Sequence, residues 1–253
     1  MSVLKSLVDS VRGGAIEVVD LTAPLSSETP ILQLPEPFSN TIRFSLEEIS
    51  NYDDRGPAWY WNDIHTGEHT GTHFDAPVHW VTGRDGEDVS QVPPRSLIAP
   101  AVVLDFAAEA AKDPDFLLGI DHVKEWERAN GPLPDGGWLL YRTGWDTRSG
   151  DQDDFLNGSH TPGISVECAE WLAAETPIAG LGVETVGTDA GAAHSFTPPF
   201  PCHSFLLGAG KYGLTQLRNL DRLPATGAVV LAPPLPIVGG SGSPVRVLAL
   251  VER

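Results

Sequence analysis

Three imidazoles and a carboxylate fall within eleven residues, in the stretch His69-Thr-Gly-Thr-His-Phe-Asp-Ala-Pro-Val-His79. Gly71 and Pro77 interrupt it, so an unbroken helix cannot carry the spacing of four between His69 and His73, and a tight loop or single turn is expected instead. Neutral imidazoles and a carboxylate are the side chains that hold a divalent ion in a hydrolytic site, with positions left open for water and substrate. His69, His73 and Asp75 supply such a set. His79 lies beyond Ala76-Pro77, where it can be a fourth ligand or a proton shuttle; we expect the second, because an imidazole titrating near neutral pH suits acid-base work.

Outside this stretch the histidines say less. His65 and Glu68, just ahead of it, are candidates to orient a ligand imidazole through its other nitrogen, or are ordinary polar residues at a strand end. His122 reads as a surface residue, and the sequence gives His160 and His194 no partner.

A chain of 253 residues with no compositional break is read as one domain over residues 1–253. Its 41% apolar content can bury a core, while 26 glycines and 22 prolines favour turns over a helical bundle. Sixteen Lys and Arg against 34 Asp and Glu give a net charge of −18 with no basic stripe, which disfavours nucleic acid and anionic membrane as partners. Cys168 and Cys202 form no CxxC pair and are read as reduced thiols of a cytoplasmic protein. The opening MSVLKSLVDSVRGG is broken by charges and lacks the apolar core of a signal peptide, and no uncharged apolar run approaches the ~18 residues of a membrane span.

Periodicity predicts a short amphipathic helix over residues 2–12 ended by Gly13-Gly14, then a strand over 15–21 and a Pro- and Ser-rich loop from Ala23 to about Asn40. Residues 59–65 are expected to be a strand leading into the histidine motif. Its Trp59-Tyr60-Trp61 run is either core or subunit-interface packing or an aromatic wall for a flat substrate. Further strands are expected over 101–106, 137–143, 178–183, 203–207, 227–232 and 244–251. Helices are expected over 121–129, stopped by Asn130-Gly131-Pro132, and over 166–175, capped by Ser165, with an acidic loop at 149–159. Strands with so few helices point to a mixed α/β arrangement.

The motif resembles the signature His-x-Gly-Thr-His-x-Asp-x-Pro-x-His of the metal-dependent hydrolases of the cyclase family, which include kynurenine formamidases and isatin hydrolases. His69 to His79 match it without a gap. The resemblance continues through Arg142-Thr-Gly144, Pro162-Gly163-Ile-Ser165, Asn219-Leu220 and Gly242-Ser-Pro-Val-Arg246. It implies an α/β, mixed-sheet swivelling β/β/α fold, assembly into a homodimer or higher homo-oligomer whose subunits complete one another's pockets, and metal ligation by His69, His73 and Asp75 with His79 catalytic.

Formamidases of the family build a second zinc site from the shared aspartate, a later histidine and a glutamate. His203 stands at the histidine position, but Gln216 stands at that of the glutamate. A neutral amide is a poorer ligand for a second zinc than a carboxylate, whereas isatin hydrolases, by this resemblance, use a single manganese with a glutamine among its ligands, which suits Gln216. The resemblance therefore implies one divalent ion, manganese before zinc, held by His69, His73, Asp75 and Gln216. Trp59, Trp61, Trp80, Phe200 and His203 are the expected substrate contacts. The expected activity is hydrolysis of an aromatic cyclic amide, foremost isatin to isatinate, by water activated at the metal with His79 moving the proton. Hydrolysis of N-formylkynurenine, or of a lactone or imide, is the alternative within enzymes. A structural metal-binding protein is the alternative outside them, although structural zinc sites usually recruit cysteine.

Overall fold

In the computed structural model, which describes residues 2–253, the chain opens with helix α1 (Val3–Gly13). Ser2 caps it by accepting the Lys5 N–H, and Gly14, at φ +78°, ends it. None of its residues is buried, and Val3 and Leu4 remain 84% and 75% exposed.

The strands that follow are β1 (Ile16–Asp20), β2 (Ser45–Asn51), β3 (Tyr60–His65), β4 (His73–Asp75), β5 (Ile98–Asp105), β6 (Leu117–Leu118), β7 (Trp138–Arg142), β8 (Gly163–Ile164) and β9 (Gly180–Val183). The chain ends with β10 (Tyr212–Thr215), β11 (Ala228–Leu231), β12 (Gly242–Pro244) and β13 (Leu248–Glu252). Helices α2 (Ala107–Ala110), α3 (Ile120–Asn130), α4 (Gln152–Leu156) and α5 (Val166–Glu175) intervene.

Nine strands form one mixed sheet in the order β1-β13-β11-β5-β7-β9-β10-β4-β12, in which β5, β7, β9 and β10 run parallel and the remaining pairs antiparallel. Three of the parallel strands, β5, β7 and β9, are the apolar runs Val102-Val-Leu104, Trp138-Leu-Leu-Tyr141 and Gly180-Leu-Gly-Val183, as expected of strands covered on both faces. Along β7 the side chains alternate between two cores. Trp138 and Leu140 join Phe74 and Leu214 on one face, while Leu139 and Tyr141 join Val123, Cys168 and Leu172, from α3 and α5, on the other. A fully buried leucine such as Leu139 contributes about 1.5–3 kcal/mol by leaving water.

The sheet is curled. β12 and β13 sit near opposite ends of the strand order, yet only Val245–Val247 separates them, a span of at most about 14 Å. The Leu21 N–H bonds to the Val247 carbonyl, the Val245 N–H to the Thr72 carbonyl, and a Thr22–Leu217 bridge joins the two ends. The single strand expected over 244–251 is thus two, because the chain must turn this corner between them.

Other expectations are corrected as well. Residues 203–207 are not a strand: Cys202–Leu206 is a π-helical turn packed against α5, entered through the proline-rich Pro198-Pro199-Phe200-Pro201. Several elements lie in segments where none was expected, among them β2, β10 and α4 and the very short α2, β6 and β8. β2 is polar and exposed and β10 holds a glycine, while the start of α4 is set by Asp151 accepting the N–H groups of Asp153 and Asp154. His122 is more than a surface residue, since its Nδ1 accepts the Gly119 N–H at 2.9 Å and caps α3. Both cysteines are buried free thiols. Among the described residues no helix is long and apolar enough to cross a membrane.

Candidate active site

The centre of the histidine motif is a strand rather than a turn. On β4, His73 and Asp75 are two residues apart and project from one face, while Phe74 between them fills the core on the other. Both neighbouring strands place glycine opposite Asp75, Gly213 on β10 and Gly242 on β12. The space is needed: a Cβ at Gly213 would lie 2.7 Å from Asp75 Oδ2, and one at Gly242 would lie 2.6 Å from His69 Cε1. Gly71 adopts φ +63° just ahead of the strand, and Pro77–His79 form a single 3-10 turn just after it.

Hydrogen bonds fix which nitrogen of each ring carries a proton. Ser241 gives its one hydroxyl hydrogen to Glu68 Oε2 at 2.6 Å, so it accepts from His69 Nε2 at 2.8 Å. His69 Nδ1 is left to face Asp75 Oδ1 at 2.8 Å. His73 Nδ1 lies 2.7 Å from the Gly71 carbonyl, which can only accept, and so His73 Nε2 faces the same Asp75 oxygen at 3.3 Å. Two ring lone pairs thus converge on one carboxylate oxygen in a site where His73 is 4% and Asp75 1% exposed. Such an arrangement is repulsive unless a proton or a cation sits between the acceptors. Ligand atoms of His69, Asp75 and His79 also lie within 4.8 Å of one another, near the separation that an ion with bonds of about 2.0–2.2 Å spans. The residues present fit a divalent ion.

With no cation between the rings and Asp75, protons take its place: His69 and His73 then donate to Asp75, and although burial alone would raise its pKa, the charge of His73 and these hydrogen bonds hold the carboxyl well below its usual range. His79 stacks on His69 with ring centroids 3.8 Å apart. Burial, reinforced by neighbouring His69, His203 and His73 against the opposing pull of Asp75, pushes its pKa down to about 3. Near neutral pH it is a neutral acceptor, not the half-protonated shuttle that an unperturbed imidazole would be.

His203 meets the cluster from the π-helical turn, its ring 5.4 Å from His79. Its Nδ1 is bound to Asp189, whose two oxygens also accept the backbone N–H groups of Cys202 and His203. Burial favours neutral His203, but the Asp189 hydrogen bond and charge prevail and raise its pKa. Trp80 packs 4.8 Å from His203 and 5.5 Å from Phe200, with its indole N–H on Ser204 Oγ. Phe200 holds φ +52°, a left-handed conformation costly for an aromatic residue and one that recurs at functional sites.

His69, His73, Asp75, His79, Trp80, Phe200 and His203 are therefore brought together. Trp59 and Trp61 are not: they stand 49% and 55% exposed on the β2–β3 hairpin and make no ring contact with the cluster. Gln216 is buried at φ +51°, directly after Thr215, whose hydroxyl meets His73. Its side-chain nitrogen donates to the Pro30 carbonyl at 3.1 Å, leaving the amide oxygen as the atom able to ligate. His65 pairs with Glu47 across the hairpin, whereas Glu68 reaches His69 through Ser241. Ser241 and Asp189 carry no sequence signal of their own, because each acts through a contact closed only by the fold.

A nearly closed mixed sheet, with this His/Asp cluster on a strand near its edge, places the chain among the cyclase-type proteins; it matches the Cyclase family over residues 19–190 and belongs to it. Over its full length the chain is 46% identical to the isatin hydrolase of Roseibium aggregatum, covering 98% of that protein. The crystal structure of an isatin hydrolase bound to the product analogue thioisatinate matches with a TM-score of 0.96 at 45% identity, covering 100% of both chains, so the mixed α/β fold expected from the sequence is the fold of this group. The kynurenine formamidase of Salinibacter ruber is 31% identical over 187 residues, 70% of this chain and 74% of that protein.

Proposed function

We propose that this chain hydrolyses the cyclic amide of isatin to isatinate. The observation that carries the reading is the aromatic side of the site: Trp80, Phe200 and His203 pack together beside the His/Asp cluster, a surface suited to a flat bicyclic ring. Full-length likeness to an isatin hydrolase, and to one that binds thioisatinate, supports the same substrate.

His69, His73 and Asp75, with the amide oxygen of Gln216, are the residues we assign to one divalent ion, manganese before zinc. When bound, such an ion supplies positive charge that polarises an amide carbonyl and acidifies water. His79, neutral at working pH, accepts the proton of the attacking water and returns it to the ring nitrogen as the C–N bond breaks. His203, its Nδ1–H held by Asp189, donates through Nε2 to a substrate carbonyl in the imidazolium form that Asp189 favours. Trp59 and Trp61 are assigned to a second subunit's pocket in a homodimer or larger assembly, a reading their exposure favours. The buried thiols Cys168 and Cys202 suit a reducing, cytoplasmic setting.

A panel of isatin, N-formylkynurenine and simple lactones, run with manganese and with zinc, tests the proposal. Isatin with manganese should give the highest kcat/KM. A preference for N-formylkynurenine with two zinc ions per chain would overturn it in favour of a formamidase.

A further inference from the structure

Three arginines of this chain are partly buried: Arg142, Arg148 and Arg218. The first two pair with Asp105 and Asp154. Arg218 pairs with no carboxylate among the described residues, and its Nε is buried without a hydrogen-bond partner. In a chain with 34 acidic and 16 basic residues, acids are abundant, and a half-buried arginine paired with none of them stands out. Burying part of a charged group is costly unless it is paired, so an anion from outside the chain would find Arg218 uncommitted.

The residue lines a cavity of about 160 Å³ together with Gln216, Thr29, Pro30, Ser149 and Gly150. One wall of this cavity, residues 23–30, is fastened to the histidine motif. The Ala23 N–H donates to Thr72 Oγ1 at 2.9 Å, Thr72 Oγ1 donates to the Gln216 carbonyl at 2.7 Å, and the Gln216 amide donates to Pro30. Leu25 and Thr29 pack over Gly71, where a Cβ would collide with Leu25. The cavity therefore lies beside the His/Asp motif, joined to it through Thr72 and Gln216. Glu28, exposed and hydrogen-bonded to Ser27 Oγ, is the one acidic residue in its lining.

We propose that Arg218 and this cavity form a binding site for a small carboxylate anion. The planar guanidinium is the side chain best shaped to hold a carboxylate by two parallel hydrogen bonds, and the lining offers a single acid to oppose it. Two sources share this chemistry. One is the keto-acid carboxylate released by the hydrolysis proposed above, a source that rests on that reading; the other is an independent small acid, which does not.

The test is a titration of the ¹⁵N-labelled protein loaded with diamagnetic zinc, since manganese would broaden nearby resonances, with acetate and, separately, with isatinate, following the arginine Nε–H resonances and using chloride as the ionic-strength control. One Nε–H signal should move saturably with carboxylate and stay unmoved by chloride, and Arg218→Gln should abolish the response. Saturation by isatinate at concentrations at least tenfold below acetate assigns the site to the product; equal affinities assign it to a separate acid, and the acetate arm holds whether or not isatin is the substrate. Glu28→Gln, at an exposed position that leaves the fold intact, should tighten the apparent Kd at least threefold by removing a like charge. No saturable shift with either anion, the same Kd in Arg218→Gln, or an unchanged Kd in Glu28→Gln overturns the proposal.

Discussion

His69 turns an unprotonated Nδ1 toward Oδ1 of Asp75 at 2.8 Å, because its other nitrogen is committed to Ser241. Without a cation only a proton can screen that contact, so loading the ion displaces protons. Metal uptake by the apo protein should therefore acidify a weakly buffered solution, as a pH-stat titration would record, and affinity should fall as pH falls. Asp75→Ala removes the shared oxygen, and both metal content and turnover should be lost.

His79 gives the contrasting outcome. Its ring stacks on His69 without being needed to complete the pair of imidazoles on Asp75. His79→Ala is expected to keep its metal, measured by elemental analysis, while kcat for isatin drops by about 10²–10⁴, the usual worth of a positioned acid-base group. A fully active His79→Ala enzyme would remove the proton-transfer role assigned to this residue.

The same side chain sets a pH dependence of stability. Because the folded pKa of His79, about 3, lies below the ordinary 6.5, the unfolded chain binds the extra proton between those values and the folded chain does not. Its contribution is complete above pH 6.5 and is lost as pH falls toward 3, with a slope of up to about 1.4 kcal/mol per pH unit. Urea denaturation of the apo protein across this window, compared with His79→Gln, isolates it; the variant should show a shallower slope.

Glu68 and Ser241 act at one remove. Ser241→Ala frees His69 Nε2 and with it the tautomer that aims Nδ1 at the ion, and Glu68→Gln weakens the hold on Ser241. Each should reduce metal affinity by about 10–100-fold with little change in fold. Competition with a chromogenic chelator reads this directly, and unaltered affinity in both would show that the serine serves packing alone.

Glycine at position 213 is a steric requirement. In Gly213→Ala the new methyl meets Asp75 Oδ2 at 2.7 Å, closer than carbon and oxygen tolerate, so the carboxylate or the β10–β4 pairing must shift. We expect a loss of about 1–3 kcal/mol in stability together with a loss of bound metal. Wild-type metal content in this variant would contradict the tight fit.

What the sequence conveyed divides along physical lines. Helix α5 was legible from Ser165 onward because capping and apolar spacing are local, and β7 and β9 were legible as unbroken apolar runs. The His/Asp cluster was legible because four chemically distinctive side chains crowd one short stretch. Its turns at Gly71 and Pro77 were legible too, but nothing in Thr-His-Phe-Asp-Ala announces a strand between them that two distant glycine-bearing strands will flank. The Cys202–Leu206 segment carries a strand-like apolar run, yet its conformation is decided by packing against α5. Asp189 and Ser241 were silent for the same reason, since their partners lie far along the chain or on another element.

The curling of the sheet has a temporal consequence. His69 meets Ser241 across 172 residues of chain, and His73 meets Thr215 across 142. Contacts of such separation close late, because loop entropy must be met before they repay it. A ribosome-bound chain that has exposed His69, His73 and Asp75 but not yet the last strands has every imidazole of the motif and none of the geometry. The cluster is not assembled until Val245–Val247, the segment that seals the curl, has joined Thr72 and Leu21, so closing the sheet and organising the His/Asp cluster are one step.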